Sequence, residues 1–99
     1  MNAIRNYHER WEMADNPSTP HDVLTSLSMD KELAVRYRVA NNPNTPPETL
    51  HTLSMSEDIL VRRYVAHNSS TPPHTLDIMA QDTDWVVQCK VSTNPSTHP

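Results

Sequence analysis

The chain has 99 residues, nine prolines, no glycine, one cysteine and a net charge of −4, which makes it one domain with a modest core. A single cysteine, Cys89, excludes an internal disulfide and a cysteine-built metal cluster, and fits a reducing, cytoplasmic setting. No apolar run reaches the length of a membrane span, the start Met1-Asn2-Ala3-Ile4-Arg5 is no signal peptide, and the acidic balance gives no overall pull toward nucleic acid or an anionic membrane.

Residues 1–15 read as the second half of a unit whose first half is missing. The turn Asn16-Pro17-Ser18-Thr19-Pro20 follows. It recurs as Asn42-Pro43-Asn44-Thr45-Pro46, as Asn68-Ser69-Ser70-Thr71-Pro72 and as Asn94-Pro95-Ser96-Thr97, at intervals of 26 residues. A fixed period of this size marks a solenoid, one structural unit stacked several times. The units fall near 3–28, 29–54, 55–80 and 81–99, about 3.5 repeats in one domain.

Each turn leads into a short helix, the first over Pro20–Ser28. Thr19, Thr45 and Thr71 are the expected caps, each hydroxyl accepting an orphan backbone N–H, with Pro20 in the first helical position. Thr45 and Glu48 have the spacing of a capping box. Leu24 and Leu27, Leu50 and Leu53, and Leu76 and Met79 give these helices an inward stripe.

Asp30, Ser56 and Asp82 are the expected caps of second helices over 30–41, 56–67 and 82–93. Leu33, Ile59 and Trp85 share one column, Val35, Val61 and Val87 another, and Val39, Val65 and Val91 a third. Ala40, Ala66 and Ser92 are small enough for another backbone to pack close. The partial alternation at the valines admits a strand, but the caps favour helix. Each second helix ends at a polar residue followed by Asn42, Asn68 or Asn94. Without glycine, these asparagines, with Asn16, are expected to take left-handed turns or to bond the loop of the neighbouring unit. The expected fold is all-α: a short solenoid of two-helix repeats.

Val35-Arg36-Tyr37-Arg38-Val39-Ala40-Asn41-Asn42-Pro43-Asn44-Thr45-Pro46-Pro47-Glu48-Thr49-Leu50 closely resembles the leucine-rich variant repeat. So does Val61-Arg62-Arg63-Tyr64-Val65-Ala66-His67-Asn68, with Thr71-Pro72-Pro73-His74-Thr75-Leu76. The resemblance implies a right-handed superhelix of paired helices, one of each pair short and partly 3₁₀, in a bacterial family assigned to binding rather than catalysis. The family's repeats are commonly slightly shorter. One cysteine cannot build the iron–sulfur segment that at least one member carries.

All eight cations lie in second helices or their 1–15 equivalent, with acids early in those helices and bases late. The helix dipole accounts for that order. Glu32 with Arg36 and Asp58 with Arg62 have i,i+4 spacing, and stacking aligns Arg10, Arg36 and Arg62 into a column that fits a ladder to neighbouring carboxylates. Two registers vary between copies: Trp11, Tyr37, Arg63 and Cys89, and Glu12, Arg38, Tyr64 and Lys90. Free variation implies exposure, and exposed Trp, Tyr and Arg anchor interfaces, although Trp11 and Cys89 also suit packing in the end units. The expected binding residues are Trp11, Arg36, Tyr37, Arg38, Arg62, Arg63 and Tyr64. A protein partner is expected, in the manner of a small bacterial or phage regulator. Nucleic acid is the alternative, with arginines on phosphates and tyrosines stacked on bases. The six histidines show no metal-ligand spacing on one face, no catalytic constellation stands out, and no cofactor is expected. The apolar end left by the last unit calls for adapted end helices, a partner that covers it, or a homo-oligomer joined there.

Overall fold

The computed structural model describes residues 5–97. Seven helices alternate in length, with no strand among the described residues. The long ones are α1 (Tyr7–Asp15), α3 (Leu33–Asn41), α5 (Ile59–His67) and α7 (Trp85–Thr93). The short ones are α2 (His21–Leu27), α4 (Pro47–Leu53) and α6 (Pro73–Met79). Successive long helices, and successive short ones, begin 26 residues apart. The long helices stack side by side, α1 on α3 on α5 on α7, and the short ones form a second layer against them. The body measures 43 × 22 × 16 Å.

Helices of seven and nine residues are too short to persist alone, so packing must hold them. The core runs along the seam between the layers. Val35, Val39, Val61, Val65 and Val87 face it from the long helices, and Leu24, Leu50 and Leu76 from the short ones, all fully buried. Each such side chain contributes about 1.5–3 kcal/mol. Ala40 and Ala66 are buried as expected, whereas Ser92 is exposed.

The long helices start three residues later than expected, at Leu33, Ile59 and Trp85. Asp30, Ser56 and Asp82 do not cap them. Their side-chain oxygens instead accept the N–H two residues on, from Glu32 at 2.9 Å, Asp58 at 3.1 Å and Asp84 at 2.8 Å. Such local bonds compete with the helix and hold the chain in a turn. The caps are Asp58, accepting from Leu60 and Val61, and Asp84, accepting from Val87. Glu32 holds the same place without a side-chain cap bond; its extra methylene misplaces the carboxylate.

The short helices are capped by Pro20, Pro46 and Pro72, which offer no side-chain bond. The threonine caps, the Thr45–Glu48 box and Pro20 at the first helical position are therefore corrected. A capping box does occur, between Asn6 and Glu9 at the start of α1. The short helices are α-helical, and the 3₁₀ character lies at their ends. Ser54, Met55 and Ser56 donate in turn to His51, Thr52 and Leu53, the i→i+3 tightening of a final turn.

Leu33, Ile59 and Trp85 do not form a core column. Leu33 is half-buried, Ile59 is 43% exposed and Trp85 72% exposed. Leu33 still packs against the core, while Ile59 and Trp85 open their helices in solvent. No described residue takes a positive φ. Asn42, Asn68 and Asn94 are extended, with φ between −77° and −73°, so the described corners are made without glycine and without a left-handed residue.

Candidate functional site

The repeated asparagine and threonine form one edge. Asn42 donates through Nδ2 to the carbonyls of Ala14 and Asn16, at 2.8 and 2.9 Å. Asn68 does the same to Ala40 and Asn42, and Asn94 to Ala66 and Asn68. Two facing carbonyls fix the amide's orientation. Each Oδ1 turns back to its own loop, accepting from Asn44, Ser70 or Ser96. Asn16 keeps only that local half, accepting from Ser18. Thr19, Thr45 and Thr71 are donors rather than acceptors. Their hydroxyls reach the carbonyls of Met13, Val39 and Val65 at 2.6–2.7 Å, satisfying carbonyls near the ends of the long helices. This edge is structural.

The arginine column runs along the starts of the long helices. Arg10 Nε meets Asp30 at 2.7 Å and Arg62 Nε meets Asp82 at 2.8 Å, each acid belonging to the next copy. The ladder to neighbouring carboxylates therefore exists at these two junctions. The expected i,i+4 pairs give way to it: Arg62 turns to Asp82 rather than Asp58, and Arg36 donates to the Asp30 carbonyl.

The varying registers are half-buried rather than exposed at Trp11, Tyr37, Arg38, Arg63 and Tyr64. Trp11, Tyr37 and Tyr64 pack on the core. The variation is matched diagonally between copies. The Arg38 guanidinium lies over the Trp11 ring, 5.1 Å from its centre, and meets Asp15 at 3.6 Å. The rings of Tyr37 and Tyr64 lie 5.7 Å apart. Arg63 grips Asp84 with two bonds, at 2.9 and 3.0 Å. Free variation was the wrong signal for exposure, because each of these residues answers a neighbour in the adjacent copy of the stack.

These contacts set the charges. Arg63's hydrogen bond, with help from the Val87 N–H, holds the Asp84 carboxyl down at about 2. The same bond raises Arg63 above its ordinary value. Burial first, then the nearby charge of the Asp58 carboxylate, pushes the Tyr37 phenol up.

Beside Arg63 and Tyr64, a recess of about 390 Å³ opens between α5 and α7, lined also by Asn41, Leu60, His67, Val86 and Lys90. Leu60 is 43% exposed at its edge. Sequence reasoning placed Arg63 and Tyr64 here but missed Leu60 and Val86. Their column holds Ala34 in the preceding copy, so no repeating apolar signal marks it. Also unforeseen is a ladder along the short helices, where Thr25 meets Thr49 at 2.8 Å and His51 meets Thr75 at 2.7 Å. The ring of His51 lies 5.2 Å from that of His74. Among the described residues no three His, Cys, Asp or Glu side chains are grouped to hold a metal, and no helix is long and apolar enough to cross a membrane.

No curated protein and no solved structure matches the chain. The family model described as leucine rich repeat variant matches residues 59–84. That match spans α5, the turn at Asn68, α6 and the approach to α7, one full period of the stack. The other copies repeat its helices, and Asn42 and Asn94 repeat its asparagine bonds, so the stretch that is similar to the leucine rich repeat variant is one unit of the stack.

Proposed function

We propose that this protein is a non-catalytic interaction module that receives another protein in the recess between α5 and α7. The observation that carries this reading is the recess itself. Leu60, Tyr64 and Val86 line it with apolar surface beside Lys90 and His67, while Arg63 is already held by Asp84. An apolar anchor beside cations is the composition of a protein-binding hot spot, and it suits a partner segment with an acidic flank. The exposed Trp85 and Ile59 extend the apolar surface along the same helices. No catalytic role is proposed: Thr19, Thr45 and Thr71 spend their hydroxyls on backbone carbonyls. The nucleic-acid alternative is weaker, since Arg10, Arg62 and Arg63 each already hold a carboxylate. A bacterial or phage cytoplasm is the proposed setting, in keeping with the one free cysteine. A second copy is one partner that the exposed Trp85 on α7 would suit.

The test is affinity capture from the native host with wild type and with the Leu60→Glu, Lys90→Glu double variant, at low and moderate salt. A specific protein should be retained by wild type at both salts and lost by the variant. Equal retention by both, with the fold intact, overturns the reading. Capture that carries only nucleic acid and collapses at moderate salt replaces it with the alternative.

A further inference from the structure

The arginine column is interrupted at its centre. At the first and third junctions the arginine Nε holds an acid of the next copy, Asp30 or Asp82, with little solvent access to either side chain. Each acid spends its other oxygen on the N–H two residues ahead. At the second junction that position is Ser56. Its hydroxyl keeps the local bond to the Asp58 N–H, but it is neutral and too short to reach across. Arg36 is still held in the shared pose. Its Nη1 donates to the Asp30 carbonyl as Arg62 Nη1 donates to that of Ser56. Among the described residues no acceptor faces its Nε. Instead the guanidinium borders a recess of about 450 Å³ lined by Leu33, Arg36, Ser56, Glu57 and Asp58.

We propose that this junction is a receptor for one carboxylate of a protein partner, an Asp or Glu side chain taking the place that Asp30 and Asp82 occupy elsewhere. The guanidinium supplies the charge-assisted bond and the Ser56 hydroxyl a second donor. Glu57 and Asp58 repel any anion, a doubly charged phosphate more than a singly charged carboxylate. Asp58 stays committed to the N–H groups of Leu60 and Val61. That the carboxylate comes from a protein rests on the interaction reading; the receptor chemistry does not.

The experiment is a titration of the whole chain with N-acetyl-aspartate amide at constant ionic strength, following the arginine Nε–H signals by NMR. The Arg36 signal should shift saturably while those of Arg10 and Arg62, already engaged, stay in place. Inorganic phosphate should bind at least several-fold more weakly. Ser56→Asp should abolish the shift and raise Tm, because it closes the ladder from within. The proposal is overturned if Arg36 moves no more than the other two, if Ser56→Asp titrates like wild type, or if phosphate binds more tightly. A saturable Arg36 shift in a protein whose α5–α7 recess proves inert would remove the recess reading and leave this one standing.

Discussion

The two lengthwise edges of the stack solve the same problem differently. Along one, Asn42, Asn68 and Asn94 make the same pair of bonds at every junction. Along the other, Arg10 and Arg62 meet carboxylates but Arg36 meets none. The first edge reaches main-chain carbonyls, which every residue possesses. The second depends on the identity of one side chain in the next copy. A bond to the backbone survives sequence drift; a bond to a side chain lapses when that side chain changes, as at Ser56.

The largest effect is expected at the invariant edge. Asn68→Ala strands two carbonyls and the Ser70 N–H in a buried place and should cost about 3 kcal/mol in urea unfolding. Asn16→Ala, which removes only a local exposed bond, should cost about 0.5 kcal/mol. Next comes the variable edge. Arg62→Gln leaves Asp82 without its cation and should cost about 2 kcal/mol, whereas Arg36→Gln should cost about 0.5 kcal/mol or less, since no carboxylate is orphaned. Equal losses for these two would mean the interrupted junction is not different in kind. Thr71→Val, which removes one hydroxyl from the Val65 carbonyl, should cost about 1 kcal/mol.

The smallest effect concerns acid. Asp84 is held at about 2 by Arg63, below its ordinary 3.8. A depressed carboxyl adds stability that is complete above the ordinary value and disappears as pH falls through the lowered one. Asp84→Asn should therefore flatten the decline of the unfolding midpoint between about pH 4 and about pH 2, and Arg63→Gln should return the Asp84 carboxyl signal toward the ordinary range.

The period, the helical class and the valine and leucine columns were legible because core positions repeat for packing reasons that act on one residue at a time. The reach of each asparagine into the neighbouring copy was also visible in outline. The helix starts were not. An aspartate such as Asp30 serves equally as a cap or as a turn former, and only the geometry of the following residues decides. The threonines were placed correctly and given the opposite polarity, since a hydroxyl both donates and accepts. The expected exposure of the strip was the deeper error. Trp11 packs with Arg38 and Tyr37 with Tyr64 across copies, and reading each column by itself misses contacts between columns.

The asparagine clasp also bears on how such a chain lengthens or shortens. A clasp that closes on peptide oxygens asks nothing of the residue that bears them. A copy spliced in or excised at the Asn-Pro corner would be seized by its new neighbours at once, whatever its outward residues. Selection can then rework those residues for a new client while the framework goes on assembling.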